Sequence, residues 1–191
     1  MQANKLIISL FCLVEICVLS AENLAPYGDF EAPPAELAKH VTHRFGKLSF
    51  VQEHPGDNRC AKVEITQITR GKDGTDGTHA NIICHFDATP STSYCFSFDL
   101  KGTAPLFMIS IQEQGGAKPP VTVPSKLKVG ASYYEVCRDW TRYEGTFKTG
   151  VNPGRCSLFV TLWHNTLYGK MFYDVGDYFL IDNVRVWRNN E

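Results

Sequence analysis

The sequence lacks an excess of charge of either sign. It has 19 lysine and arginine residues against 20 aspartate and glutamate residues, a formal net charge of −1. A protein that binds nucleic acid usually carries a basic face and a raised isoelectric point. The composition therefore gives no support for a nucleic-acid partner. Internal repeats and low-complexity tracts are also missing, and the 43% of hydrophobic residues are typical of a globular domain.

Several chemical motifs are missing as well. The sequence has no Cys-x-x-Cys pair, no Gly-x-Ser-x-Gly elbow, no phosphate-binding loop and no Gly-x-Gly-x-x-Gly turn. It also lacks the Glu-x-Asp-x-x-Glu strand of jelly-roll glucanases. His40 and His43 could share one helix face, but no third ligand follows at a spacing that suits zinc. We therefore expect a protein that is not an enzyme.

Long apolar runs are absent except near the N-terminus. The run begins at Leu6, after Lys5, and continues to Leu19 with Glu15 inside it. It is short for a membrane span, and Val18 and Ser20 suit the −3 and −1 positions of a signal-peptidase site. We expect residues 1–20 to be a signal peptide, with an N-terminal anchor helix as the alternative. Residues 21–191 would then form one secreted domain, extracellular or periplasmic, that does not span a membrane.

Five cysteines remain after residue 20, which is an odd number. They are Cys60, Cys84, Cys95, Cys137 and Cys156. An exported protein meets oxidising conditions, so one or two disulfides are expected, with at least one thiol unpaired, buried or joined to another chain. Cys84 and Cys95 are equidistant from the Thr89-Pro90 turn and would face each other if the two segments formed a hairpin.

Short strands separated by turn residues dominate what is present. Residues 94–100 alternate strictly, with Tyr94, Phe96, Phe98 and Leu100 on one face, as in a half-buried strand. The other candidate strands are residues 61–68, 80–86, 106–112, 141–148, 157–164 and 178–187. One short helix is indicated over residues 34–41. The pattern predicts an all-β antiparallel sandwich or barrel in a single domain.

Four segments in order resemble carbohydrate-binding modules of family 4 and their relatives in families 9, 16 and 22. The segments are Asn-Leu-Ala-Pro-Tyr-Gly-Asp-Phe-Glu at 23–31, the turn and Tyr-x-Phe-Ser-Phe strand at 89–102, Trp-Thr-Arg-Tyr-Glu-Gly-Thr-Phe at 140–147, and the closing Ile-Asp-Asn-Val-Arg-Val strand within 178–186. Together they extend over nearly the whole chain after residue 20. The resemblance implies a galactose-binding-like β-jelly roll that binds a polysaccharide or oligosaccharide.

The sequence departs from this family in one place. Members usually have a tryptophan shortly after the Phe-Glu opening, whereas residues 32–58 contain none. Phe45 or Phe50 would fill the gap in packing. If the missing tryptophan contacts the ligand in relatives, their sugar specificity does not carry over to this chain.

The closing strand changes its parity midway. Phe179 and Ile181 share one face, while Val184 and Val186 have the opposite parity, so burying all four requires one extra residue at Asp182-Asn183. The resemblance implies a structural calcium ion near this bulge and the acidic opening. The matching positions are Glu31, Asp182 and Asp29. The alternative is that Asp182 caps the bulge through hydrogen bonds and holds no metal.

The strand at 157–164 places one tryptophan apart from the core. Leu158, Val160, Leu162 and His164 share the face that is expected to be buried, which leaves Trp163 on the more polar face. A pyranose ring stacks its apolar face on an aromatic ring, and its hydroxyl groups need polar partners at the rim. The predicted ligand-binding residues are Trp163, Asn165, Tyr168, Tyr173 and Gln112. The alternative is that Trp163 packs under its own loop.

These observations predict a secreted, non-catalytic carbohydrate-binding protein that uses aromatic stacking and polar contacts at the rim. Its expected partners are a glycan and either a glycoside hydrolase or a surface protein. Two alternatives are an extracellular adhesion or scaffold protein, whose odd cysteine forms an intermolecular disulfide, and a small jelly-roll glycoside hydrolase or lyase.

Overall fold

The computed structural model describes residues 22–53, 58–130 and 132–189, apart from the side chain of Tyr168. The predicted signal peptide at residues 1–20 lies outside the described residues. In chain order the elements are α1 (Pro34–His40), β1 (Val41–Thr42), β2 (Lys47–Gln52), β3 (Arg59–Glu64), β4 (Thr69–Arg70), β5 (Asp76–Asp87), β6 (Ser93–Gly102), β7 (Leu106–Gln112), β8 (Val121–Thr122), β9 (Lys128–Val129), β10 (Tyr133–Glu135), β11 (Thr141–Lys148), β12 (Arg155–Asn165), a 3₁₀ turn (Thr166–Tyr168) and β13 (Tyr178–Arg188).

The strands form two antiparallel sheets with the hydrophobic core between them. Sheet 1 has the order β1-β5-β12-β7-β10-β9, and β4 also pairs with β5. Sheet 2 has the order β2-β3-β13-β6-β11-β8. Every pairing is antiparallel, so the expected antiparallel jelly-roll sandwich is confirmed.

Aromatic side chains from β6 fill the middle of the core. Tyr94, Phe96 and Phe98 are fully buried, as the strict alternation of this strand predicts. The ring of Tyr94 stacks on Phe147 of β11, with ring centres 5.3 Å apart. Phe98 meets Phe107 of sheet 1 edge to face at 6.1 Å, so these rings join the two sheets.

Each candidate strand predicted from the sequence contains or overlaps a strand of the structure. Two of them, β7 and β11, have the expected bounds, while the candidate at 61–68 is displaced relative to β3. Strand β2 was not expected, because its residues are half-buried or exposed and show no clear alternation. The expected helix is α1, which packs Leu37 into the core.

The bulge expected in β13 is present. Asp182 pairs with Asp99 and Arg185 pairs with Ser97, so three steps along β13 match two steps along β6. Asn183 takes the left-handed conformation, with φ of 52°, which asparagine tolerates better than most residues. As a result, Phe179 and Ile181 before the bulge and Val184 and Val186 after it are all buried.

The opening segment docks onto this bulge. The side-chain amide of Asn23 donates to the Val184 carbonyl at 3.1 Å and accepts from the Val186 N–H at 2.9 Å. Gly28 O accepts from the Val184 N–H at 2.9 Å, and a methyl group on Gly28 would overlap the Val184 backbone. The opening and closing motifs therefore form one structural unit. The opening segment supplies hydrogen-bond partners for backbone groups of β13 that the bulge leaves unpaired in the sheet.

The five described cysteines are free thiols. The condition under which Cys84 would face Cys95 is not met, because β5 belongs to sheet 1 and β6 to sheet 2, so the two segments are not a hairpin. Burial raises the pKa of the Cys84 thiol to about 12, which disfavours the reactive thiolate. Cys95 and Cys137 are less buried, and the intermolecular disulfide stays a prediction.

In the described part of the chain, we find no helix that is both long and apolar enough to span a membrane.

Candidate functional site

The outer face of sheet 1 carries the tryptophan that the sequence singles out. Leu158, Val160 and Leu162 are buried in the core, as expected, and the side chains between them point outward. Trp163 is half-buried on this outer face. Strand β12 pairs with β5 on one side and β7 on the other, so this face has rigid neighbours on both sides.

Outward side chains of three strands form a cavity beside Trp163. Thr161 is flanked by Asn81 of β5 and Met108 of β7, while Trp163 lies opposite His79. The cavity has a volume of about 250 Å³. Its lining residues are Arg44, His79, Asn81, Met108, Ser110, Gln112, Lys118, Phe159, Thr161 and Trp163.

A second cavity adjoins the first at the loop between β1 and β2. It has a volume of about 500 Å³ and shares Arg44, His79 and Trp163 with the first cavity. Phe45 lines it with 51% of its surface exposed, and its ring stacks on His79 with centres 4.4 Å apart. We refer to the two adjoining cavities together as the sheet 1 cleft.

A chain of hydrogen bonds organises the polar side of this cleft. The backbone N–H of Arg44 donates to Asn81 Oδ1 at 3.0 Å, and Asn81 Nδ2 lies 3.2 Å from His79 Nε2. Because the amide nitrogen must donate, Nε2 is the acceptor in this pair. Burial and the nearby Arg44 guanidinium lower the pKa of His79, so the imidazole is neutral near pH 7. Asn81 is itself buried and so positions its neighbours.

Three predicted ligand residues lie at this cleft. Gln112 lines the cavity of about 250 Å³, and Asn165 lines the larger one. Trp163 lines both. Asn165 also has a structural task, because its Oδ1 accepts from the Leu167 N–H at 2.8 Å and caps the 3₁₀ turn.

Tyr173 is a correction to the predicted site. It is only 2% exposed, and its hydroxyl group donates to the Leu106 carbonyl at 2.9 Å. The ring is therefore part of the core and offers no surface to a ligand. The side chain of Tyr168 lies outside the described part of the structure.

The cleft residues that the sequence did not indicate include Arg44, Phe45, His79 and Lys118. Phe45 was considered for packing, but Phe50 takes that role against Phe30, with ring centres 5.9 Å apart. Arg44 and Lys118 lie in loops, where no periodicity indicates a direction. His79 had a usable signal, since it extends the alternation of β5 by one residue beyond the expected start at residue 80.

Arg59 engages the oxygen atoms around Glu31 in the described structure, and the calcium ion expected there stays a prediction. The Arg59 backbone N–H donates to Glu31 Oε1, and the Arg59 guanidinium donates to the carbonyls of Glu31 at 2.5 Å and Ala32 at 2.8 Å. A bound cation and this guanidinium would compete for the same oxygen atoms. In the described ranges, no group of three or more His, Cys, Asp or Glu side chains is arranged to hold a metal ion.

Asp182 and Asp29 make only local contacts in the described structure. Asp182 Oδ1 accepts from the Asn183 N–H at 2.7 Å, and Asp29 Oδ1 accepts from the Glu31 N–H at 3.3 Å. Burial, with a smaller contribution from Asp99 and the other nearby carboxylates, raises the pKa of Asp182 to about 6. The Asp182 contact matches the alternative in which this residue caps the bulge.

The outer face of sheet 2 has a cavity of its own, of about 290 Å³, that includes Trp140 and Asp182. Trp140 is 39% exposed. Its indole N–H donates to Glu53 Oε2 at 2.9 Å, and the Lys101 ammonium lies 5.0 Å from the ring centre. Lys101 also pairs with Glu53 at 2.5 Å, so the exposed indole belongs to a local network of charges.

No protein-family model matches the chain. No curated protein matches it in sequence. Solved structures do match its fold. The carbohydrate-binding module TmCBM61, solved with β-1,4-galactotriose, is similar with a TM-score of 0.54 and 14% identity, over 88% of this chain and 100% of that chain. The CBM22-1 xylan-binding domain from Paenibacillus barcinonensis Xyn10C has a TM-score of 0.47 and 14% identity, over 84% of this chain and 90% of that chain. The likeness to TmCBM61 shows that this chain has the jelly-roll fold of such modules.

Proposed function

We propose that the protein is a non-catalytic carbohydrate-binding module whose sheet 1 cleft binds a polysaccharide or oligosaccharide. The observation that carries this proposal is the position of Trp163. Its half-buried indole faces outward from a central strand. It lies beside polar side chains of the cleft that can form hydrogen bonds with a ligand.

The cleft offers the chemistry that a sugar ring requires. The indole of Trp163 can stack on the apolar C–H face of a pyranose. Thr161, Gln112 and the neutral imidazole of His79 can exchange hydrogen bonds with its hydroxyl groups. From the level of Trp163 to that of Ser157, which pairs with Gln112, β12 rises about 20 Å, which is enough for several linked sugar rings.

The lining of the same cleft lacks the paired carboxyl groups of a glycoside hydrolase. Glycoside hydrolysis needs two carboxyl groups, roughly 5–9 Å apart, across the scissile bond. Among the described residues, the lining of the sheet 1 cleft includes no aspartate or glutamate. This lining favours binding of a glycan over its hydrolysis at this cleft.

The predicted signal peptide would take the module outside the cell, where structural polysaccharides occur. There it would act beside a glycoside hydrolase or on a surface. Production in a secreting host, followed by mass spectrometry of the protein in the medium, tests this part. An N-terminus near Ala21 is the expected result, and an intact Met1 would count against it.

The test of the binding site compares two tryptophans. Affinity electrophoresis against soluble neutral and acidic glycans first identifies a ligand, and calorimetric titration then measures its affinity. Trp163→Ala should weaken binding about ten- to a hundred-fold, because it removes a stacking surface of roughly 1–3 kcal/mol. Trp140→Ala is the matched control on the other sheet and should bind as the wild type does.

Thermal melts show whether each variant is folded, so that a loss of affinity is not confused with unfolding. Both variants should stay folded, since both rings are partly exposed. A folded Trp163→Ala protein with full affinity would contradict the site. A loss of affinity in Trp140→Ala alone would move the site to sheet 2.

A further inference from the structure

The charges of the sheet 1 cleft are of one sign. Arg44 and Lys118 line it, and no carboxylate does so among the described residues. Building on the proposed function, we propose that the ligand is an acidic polysaccharide, whose uronate carboxylate or sulfate ester is bound by Arg44 and Lys118 while Trp163 stacks on a sugar ring.

Arg44 is held over the middle of the cleft. It lines both cavities, and its guanidinium carbon lies 5.8 Å from the centre of the Phe159 ring. The hydrogen bond from its backbone N–H to Asn81 fixes the loop that carries it. A guanidinium that lies over an aromatic ring and is not paired with a carboxylate leaves its N–H donors available to an anion with two oxygen atoms.

Neither cation of the cleft is neutralised within the described structure. No aspartate or glutamate oxygen among the described residues lies within 4.0 Å of the Arg44 or Lys118 side-chain nitrogens. By contrast, Arg59, Lys101 and Arg142 all pair with carboxylates. The positive charge at the cleft is therefore available to a ligand.

Two acidic residues that adjoin the cleft in sequence are engaged by other groups. Asp76, which precedes the cleft residue Gly77, pairs with Arg70 at 3.2 Å. Glu113 follows the cleft residue Gln112, but it is 6% exposed and its Oε1 accepts from the Gly150 N–H at 2.6 Å. The whole protein has a formal net charge of −1, so the positive cleft reflects segregation of charge and not a basic composition. Such a local field attracts an anionic ligand and repels cations.

The experiment uses purified wild-type protein and five probes. Polygalacturonate and alginate present carboxylates, dextran sulfate presents sulfate esters, and β-1,4-galactan is neutral. Polyglutamate is a polyanion without sugar. We expect wild-type protein to bind at least one of the acidic glycans about tenfold or more tightly than galactan, with the preference reduced by added salt. Comparison of the carboxylate and sulfate probes identifies the anionic group.

The variants separate this inference from the proposed function. Arg44→Gln and Lys118→Gln should each weaken binding of the acidic glycan, about tenfold when combined. Arg44→Lys should weaken it less than Arg44→Gln, because it keeps the charge but loses the paired donors. Lys148→Gln, which removes an exposed charge on sheet 2, should change nothing. Trp163→Ala should weaken binding of every glycan that binds.

Three results would overturn the inference. Binding of galactan as tightly as the acidic glycans leaves the proposed function standing but removes the anionic specificity. Binding of polyglutamate as tightly as the acidic glycans shows a general attraction to polyanions. Failure of every glycan to bind overturns both the proposed function and this inference.

Discussion

Each outer face of the sandwich carries partly exposed tryptophan, Trp140 and Trp187 on sheet 2 and Trp163 on sheet 1, but the charges of the two faces are arranged in opposite ways. Around Trp140 on sheet 2, Lys101 pairs with Glu53, and Arg142 pairs with Asp99. Around Trp163 on sheet 1, Arg44 and Lys118 lack a carboxylate partner among the described residues.

This difference shows why exposure alone is a weak guide to a binding site. Trp140 is exposed, yet its N–H is bonded to Glu53 and a face of the ring is near an ammonium group. A ligand would have to displace these contacts. The region around Trp163 has rings, amides and cations that face the same cleft, which is the combination that binding requires.

The largest expected effect is on the free energy of unfolding, and it distinguishes a core residue from a residue of the sheet 1 cleft. Tyr173→Ala should lower the free energy of unfolding by about 3–5 kcal/mol, because it removes a buried ring and leaves the Leu106 carbonyl without its donor. Trp163→Ala should cost less, about 2 kcal/mol, since its ring is partly exposed on the outer face. Urea denaturation measures both. A stable Tyr173→Ala protein that binds glycan weakly would restore Tyr173 to the site.

The second effect concerns the opening segment beside the sheet 2 face. Arg59→Gln should lower the free energy of unfolding by about 1–2 kcal/mol, because the guanidinium bonds to Glu31 and Ala32 are lost. Thermal melts of wild-type protein should be the same in calcium and in chelator. A melting temperature that rises with calcium would show that the expected ion binds after all.

The third effect is a pH dependence of stability that arises from Asp182 on the sheet 2 face. The pKa of Asp182, about 6 in the folded protein, is above the value of about 3.9 for an unfolded chain. The folded state therefore binds this proton more tightly, and the stability that it provides is lost as pH rises from about 4 through about 6.

Asp182→Asn should remove this loss. The variant should match the wild type near pH 4 and unfold at a higher temperature near pH 7, by a few degrees. Asparagine keeps an oxygen that can accept from the Asn183 N–H. If Asp182→Asn instead melts at a lower temperature than the wild type near pH 7, in both calcium and chelator, the ionised carboxylate stabilises the bulge.

The smallest effect tests whether the Trp140 network matters. Trp140→Phe removes the N–H donor to Glu53 but keeps an aromatic ring near Lys101, so the free energy of unfolding should change by no more than about 0.5 kcal/mol. Glycan affinity should not change. A loss of glycan affinity in Trp140→Phe would show that the sheet 2 face also takes part in binding.

Much of the fold was predictable because its longest strands alternate. β6 buries every second side chain, and β13 reverses its parity at one point, so both the strand and its bulge could be inferred from the order of residues. The short edge strands were not predictable, since two or three residues carry no measurable period. The location of Cys84 and Cys95 also depends on strand pairing that the local sequence does not specify.

The cleft was predictable only where it lies on a strand. The direction of Trp163 followed from its alternation with Leu162 and His164. Arg44, Phe45 and Lys118 lie in loops, and their convergence depends on how distant strands pair. Tyr173 illustrates the opposite error, because an aromatic residue in a loop gives no local sign of whether it is buried.

The position of β13 has a consequence for how the chain can fold during synthesis. This strand lies between β3 and β6 in sheet 2, although it is made after both of them. Until it leaves the ribosome, the facing edges of β3 and β6 have no partner and the aromatic core is open on one side. The nascent chain should therefore bind chaperones until residue 188 is available, and then complete its core in a late, cooperative step.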